Sequence, residues 1–201
     1  MEIINLKLKS KNNANLFICS TDIGEFELHS DVIVKSSIKA GEFEEQKFMQ
    51  AVQESSEIIA FNIATKYISS KLKTEQQIKD YLYKKDYHKQ TVDAVLEKLK
   101  EYKIIDDKTY AEAYAKSNPN FSKNKLKQKL FLNGIKSQIV DESLTEIDDE
   151  KSCLKNAEKF LRNKVVDKPT VEKLIRRLQG MGYNWDTIKS TLNAIKFNID
   201  D

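Results

Sequence analysis

The sequence predicts a mainly α-helical protein: three tandem three-helix units in an elongated, curved array, preceded by a small N-terminal region that contains β-strands. Three observations predict it. Six apolar positions recur three times with a 48-residue period. Only two prolines and five glycines interrupt 201 residues, of which 32% are charged and 40% hydrophobic, a balance that favours solvated helices over disorder. Near the N-terminus, apolar and polar residues alternate with the period of a strand, and a helical period replaces it further on.

The N-terminal region covers residues 1–57. Ile4, Leu6 and Leu8 alternate with Asn5, Lys7 and Lys9, a polar turn is expected at Lys11, Asn12 and Asn13, and strands follow at Leu16 to Cys19 and, after a turn at Gly24, at Phe26 and Leu28. Strands this short need a cover on one face. A short helix capped by Ser30 and Asp31, containing Val32, Ile33 and Ile38 and stopping near Gly41, is the expected cover. From about Glu44 the period is helical, through Phe48, Val52, Ile58, Ile59, Ile63, Tyr67 and Ile68, with an interruption expected around Ser55 and Ser56.

The repeat defines units at 58–105, 106–152 and 153–201. Ile78, Leu82, Tyr87, Val92, Leu96 and Leu99 return as Leu126, Leu130, Ile135, Val140, Leu144 and Ile147, and again as Leu174, Leu178, Tyr183, Ile188, Leu192 and Ile195. Between the two apolar clusters of each set stand Asp86, Gly134 and Gly182, residues that tolerate the left-handed conformation ending a helix. Each set therefore reads as a short helix, a tight turn and a longer helix. A further helix precedes each pair, at Phe61 to Ile68, Tyr110 to Ala115 and Cys153 to Leu161, the second of them capped by Asp106 or Asp107. All eighteen positions are read as core. Stacked units of this kind offer extended surfaces suited to large partners.

Positive charge gathers in the middle of the chain. Residues 1–60 hold six lysines against ten acids, residues 61–136 seventeen lysines against nine acids, and the remainder eleven basic against twelve acidic residues, for a net charge of +3. From Lys116 to Lys136 there are six lysines and no acid. Lys123 and Lys127 on one side of Leu126 and Leu130, with Lys125 and Lys129 on the other, would flank a buried stripe, and Lys136 lies just beyond. Lys71, Lys73, Lys79, Lys84 and Lys85 in the first unit, and Lys173, Arg176 and Arg177 in the third, occupy related places. For any one of these side chains an ordinary solvated helix is an equally good explanation. Together they make a broken basic track that would attract an acidic protein surface or a phosphate backbone. Tyr81, Tyr83, Tyr102 and Tyr114 would stack on bases only if exposed, and tyrosines in helices more often pack.

The chemistry of an enzyme is not visible. No nucleotide-binding glycine loop, nucleophile elbow or zinc spacing occurs, and the nearest approach to a phosphate loop, Gly180-Met181-Gly182, is flanked by a helix end and a helix start. The pairs Asp106-Asp107 and Asp148-Asp149 are explained by helix capping. His29 and His88 stand apart from each other and from Cys19 and Cys153, so no metal and no cofactor is expected. The two cysteines read as buried thiols in a reducing compartment. No apolar run approaches the roughly 20 residues that span a bilayer, and the start lacks the apolar run of a signal peptide. A monomeric cytoplasmic protein that makes no use of membranes is expected.

The stretch Tyr102-Lys103-Ile104-Ile105-Asp106-Asp107-Lys108-Thr109-Tyr110-Ala111-Glu112-Ala113-Tyr114 resembles the RecX family, following its pattern of two apolar residues, two aspartates, two variable positions, an aromatic residue and an alanine. The run Lys71-Leu72-Lys73-Thr74-Glu75 leading into Ile78 and Leu82 is similar to the family's first repeat, as is Gly182-Tyr183-Asn184-Trp185-Asp186-Thr187-Ile188 to its last turn. The similarity covers roughly Ile58 to Ile195. The chain departs from the pattern where Leu72 replaces a proline, Lys103 a helix-ending glycine, and Ser122 with Lys123 a glycine and proline; Gly180 and Met181 stand where basic residues are frequent. The resemblance implies a regulator that binds along the groove of a RecA filament on single-stranded DNA and interferes with ATP turnover, filament growth and strand exchange. It thereby implies a place in homologous recombination, DNA repair and the SOS response. Binding to free single- or double-stranded DNA would be weak.

Two other readings compete. A direct nucleic-acid-binding module independent of RecA would use the paired helices as helix-turn-helix units, although the helices after each turn hold no compact cluster of arginine, asparagine or glutamine for base edges. A scaffold for some other protein is the third.

Overall fold

A computed structural model describes residues 1–10 and 13–195. Its described residues form a four-stranded antiparallel sheet and ten helices. The chain divides into two compact units, Met1–Ile105 and Asp106–Asp201.

In the first unit, β1 (Glu2–Ser10), β2 (Asn13–Thr21) and β3 (Gly24–His29) form a meander, and β4 (Gly41–Glu42) adds to the free edge of β1, giving the order β3-β2-β1-β4. Within the polar turn expected before β2, Lys11 and Asn12 lie outside the described residues, and Asn13 begins the strand. The hairpin at Gly24 is closed by the Thr21 hydroxyl, which donates to the Gly24 carbonyl at 2.8 Å and accepts from the Ile23 N–H at 3.2 Å. The inner face of β1 differs from simple alternation. Its register slips between Ile3 and Asn5, so Ile3, 1% exposed, and the half-buried Leu6 meet the same core while Ile4 is 58% exposed. A bulge turns the strand by one position, which changes the face each side chain meets.

The helix α1 (Ser30–Lys35) is shorter than expected. His29 caps it in place of Ser30 or Asp31, its Nδ1 accepting from the Asp31 N–H at 3.3 Å. It stops before Ser37, which takes φ +51, well short of the end expected near Gly41. Next comes α2 (Glu45–Ile68), a single helix of 24 residues with no break at Ser55 or Ser56. Ser55 is fully buried because its hydroxyl accepts from the His29 N–H at 3.1 Å, seating the end of β3 on the helix. The Ser56 hydroxyl meets that of Thr91 at 3.3 Å. Small residues on the stripe Phe48, Ala51, Ser55, Ile59, Ala60 and Ala64 allow close approach along the whole helix.

That length lets α2 serve two cores. Its first half covers the sheet, where Ile3, Cys19, Leu28, Val32, Ile38 and Phe48 pack, with Phe26 edge-on to Phe48 at 5.3 Å. Its second half meets α3 (Glu75–Tyr83) and α4 (Lys89–Glu101) around Ile78, Leu82, Val92, Leu96 and Leu99. A capping box, Thr74 with Gln77, starts α3.

The second unit holds α5 (Asp107–Ser117), α6 (Lys123–Leu132), α7 (Ser137–Ser143), α8 (Asp149–Leu161), α9 (Lys168–Gly180) and α10 (Trp185–Ala194). Asp106 is the cap of α5, accepting from the Lys108 N–H at 2.9 Å. Two side-chain clusters fill the unit, one about Ala111, Leu126, Leu130, Ile135, Val140 and Leu144, the other about Ala157, Val171, Leu174, Leu178, Ile188 and Leu192. Of the eighteen repeat positions, all but Tyr87, Ile147 and Ile195 are buried, and those three are half-buried against the same clusters. Asp86, Gly134 and Gly182 all take positive φ, at 63°, 82° and 89°. The longer second helix expected of each pair occurs only in the first: α7 has 7 residues against 10 in α6, and α10 has 10 against 13 in α9. Thr145 ends α7 early, its hydroxyl donating to the carbonyls of Asp141 and Glu142 at 3.0 Å.

Candidate functional site

Helix α6 leads the basic face because its two leucines face inward and its lysines do not. Leu126 and Leu130 are 1% and 0% exposed, and with 3.6 residues per turn the intervening lysines fall on either flank. The acid-free composition of this stretch does not survive folding. Asp141 of α7 accepts from the Lys127 ammonium at 2.5 Å, and that bond holds the Asp141 carboxyl below the usual carboxylate range. Lys125 is also engaged: its ammonium donates to the Gly180 carbonyl and lies 4.4 Å from the centre of the Phe121 ring. The half-buried Lys123 donates its backbone N–H to the Asp149 carboxylate at 2.7 Å. Lys129, Lys136 and Lys116 are exposed to solvent. The face is thus a tethered inner set, Lys125 and Lys127, beside an outer set that points to water.

Among the first unit's lysines, Lys71, Lys84 and Lys85 are exposed, and Lys73 and Lys79 half-buried. Tyr67 and Tyr81 stack with ring centres 4.0 Å apart; Lys73 lies 4.4 Å from the first ring and Lys85 5.9 Å from the second. The rings pack on each other and cations flank the pair. Tyr114 likewise stacks with Tyr110 at 6.3 Å, and Tyr102 meets Phe61 edge-on at 6.0 Å while staying 62% exposed.

In the second unit, Lys173, Arg176 and Arg177 are all exposed on α9. Arg177 differs from its neighbours in facing a concavity of about 330 Å³ lined by Asn120, Asn156, Lys159, Phe160, Arg162 and Lys164 as well. The charge pattern of the sequence singles out none of Lys159, Arg162 or Lys164. The only local signal is the i, i+4 spacing of Lys155 and Lys159, which many solvated helices share.

The site offers positive charge. Among the described residues no three His, Cys, Asp or Glu side chains gather as a metal site would require, and no helix is long and apolar enough to cross a membrane. Cys19 and Cys153 are buried free thiols, and burial pushes both above the usual thiol range.

Residues 60–99 match the family model described as RecX, first three-helix domain. The chain is 32% identical over 204 residues to a regulatory protein RecX of Clostridium tetani, covering 97% of this chain and 94% of that one. It also shares its fold with a solved regulatory protein RecX, with a TM-score of 0.66 at 22% identity over 97% of this chain and 98% of the other. A solved RecX from Lactobacillus salivarius aligns over 70% of this chain and 97% of its own with a TM-score of 0.61 at 23% identity.

Proposed function

Since this chain belongs to the RecX family of regulatory proteins, we propose that it binds the RecA filament on single-stranded DNA and restrains its ATP hydrolysis, growth and strand exchange. It does so without catalysis of its own, as a cytoplasmic monomer. The observation that supports this reading most is the division of labour in α6: Leu126 and Leu130 are spent on the core, while Lys129 and the nearby Lys136 stay in water. A filament presents an acidic nucleoprotein surface, and charge of this kind adds to attraction over a broad interface. The units proposed to act are residues 58–105, 106–152 and 153–201, with residues 1–57 as an appended region. Lys71, Lys73, Lys79, Lys84 and Lys85 belong to the first, Lys123, Lys125, Lys127, Lys129 and Lys136 to the second, and Lys173, Arg176 and Arg177 to the third.

The test adds the protein to preformed filaments of RecA on single-stranded DNA and follows ATP hydrolysis and DNA occupancy. Both should fall. The double variant Lys129→Glu with Lys136→Glu, which touches only exposed side chains, should remain folded and restrain filaments less. Filaments that turn over and persist equally with and without the wild-type protein would rule the reading out.

A further inference from the structure

We propose that the concavity between α8 and α9 is a second basic site, one that seats the phosphates of a single-stranded nucleic-acid backbone. Four cations, Lys159, Arg162, Lys164 and Arg177, line it together with Asn120, Asn156 and Phe160, and no carboxylate is among the lining residues. None of the four forms an ion pair with any described residue. Four like charges around one small space repel one another, and an entering anion relieves that repulsion.

The site is built rather than accidental. Two of its lining residues, Asn120 and Asn156, join a hydrogen-bonded network in which the Tyr183 hydroxyl donates to the Asn120 carbonyl at 3.2 Å, accepts from the Asn156 amide at 3.0 Å and meets the Ser152 hydroxyl at 2.9 Å. This ties α8 to the turn before α6. Phe160 then sets the rim: the Lys164 ammonium sits 3.4 Å from its ring centre and the Arg177 guanidinium 5.9 Å. Cations already held over a ring lose less freedom when a ligand arrives.

Spacing selects the kind of anion. Lys155, Lys159 and Arg162 follow at i, i+4 and i+7 along α8 to its C-cap, and Lys173 and Arg177 at i and i+4 along α9, all exposed. Steps of four and three residues advance about 6 and about 4.5 Å, so Lys155 and Lys173 extend the positive charge of the lining residues outward along both helices. Glu158 is on α8 too but is not a lining residue. Cations that continue from the concavity along two helices suit a polyanion with a repeating charge better than the scattered carboxylates of a protein surface. The site does not rest on the filament reading: of its four lining cations only Arg177, and of the two rows also Lys173, belongs to the basic track assigned to the filament.

The 201-residue chain is titrated with a labelled single-stranded oligothymidylate, without RecA, over a range of salt concentrations. Wild type should bind at about 50 mM salt, and in the triple variant Lys159→Gln, Arg162→Gln, Lys164→Gln the slope of log affinity on log salt should fall by about 0.7 for each phosphate no longer neutralised. Each such phosphate should weaken binding roughly fivefold to tenfold at that salt. A matched variant, Lys35→Gln, Lys39→Gln, Lys47→Gln, removes the same net charge from the N-terminal region and should bind like wild type. Equal affinity and slope in the triple variant would overturn the site, as would an equal weakening in the matched one. If wild type fails to bind the oligonucleotide at low salt, the site is not for nucleic acid, and an acidic protein surface is left as its partner. Because RecA is absent, each of these results is independent of any effect on filaments.

Discussion

The Ser122 hydroxyl donates to the carbonyl of Gly182 at 2.6 Å, across 60 residues of sequence. Its backbone N–H donates to the Met181 carbonyl at 3.0 Å, and the same hydroxyl accepts from the Lys125 N–H at 3.1 Å, so one buried side chain caps α6 and pins the turn between α9 and α10. Serine here supplies a hydroxyl that two chain segments use.

This junction leaves no room for a side chain at Gly182. A Cβ there would lie 2.6 Å from the Lys125 Cβ and 2.7 Å from the Ser122 Oγ, at φ +89. Backbone strain and overpacking together should make Gly182→Ala less stable by about 2–4 kcal/mol. Gly180→Ala, two residues away, meets nothing within 4 Å and lies in a helix, so it should gain up to about 1 kcal/mol. Urea unfolding of both variants checks the contrast, and equal effects would refute it.

Lys103 takes φ +54 after the end of α4, while its N–H donates to the Lys100 carbonyl at 2.9 Å. Its side chain is exposed. Lys103→Gly keeps the backbone bond and relieves a left-handed penalty of about 1–2 kcal/mol, partly offset by the freer unfolded chain. A net gain of about 0.5–1 kcal/mol, read as a higher thermal midpoint, is expected; a lower midpoint would count against it.

Three caps and pairs should weaken in acid. A bond from the Thr109 hydroxyl to Asp106, with help from backbone N–H groups, holds its carboxyl below the usual range, as Lys127 does for Asp141 and Thr170 for Asp167. A carboxyl with a lower pKa folded than unfolded contributes fully above its unfolded value, about 4, and loses that contribution as pH falls through the lower folded value. Stability followed by circular dichroism should therefore fall below about pH 4. Asp106→Asn retains a good capping residue but cannot titrate, so its acid decline should be shallower. An unchanged decline would remove Asp106 from the acid response.

Cys19 and Cys153 are each 0% exposed, and burial raises both thiols. A thiol reagent should label neither in the folded protein at neutral pH and both after unfolding in denaturant. Rapid labelling of either under native conditions would contradict the close packing of its cluster.

Periodicity and turn residues along the chain specify the repeat, its core positions and the turns between its helices. Burial imposes a local period on each helix, so Leu126 with Leu130 and Leu174 with Leu178 announce their inward face within one turn, and Asp86, Gly134 and Gly182 mark where the backbone must turn left-handed. The likeness to RecX proteins was legible for the same reason, since it rests on short runs such as Ile104 to Ala111. Other features emerge only when distant elements pack together. Ser55 reads as a break in a helix until the end of β3 arrives to use its hydroxyl, 26 residues away in sequence. The lysines of α6 read as one free set until Asp141, 14 residues on, and the Gly180 carbonyl, 55 residues on, claim two of them. Lys159, Arg162, Lys164 and Arg177 become a site only where α8 and α9 enclose a space. Periodicity reports which face of an element is buried; it is silent on which distant group fills a hydrogen bond or shares a field, because those depend on how the elements are brought together.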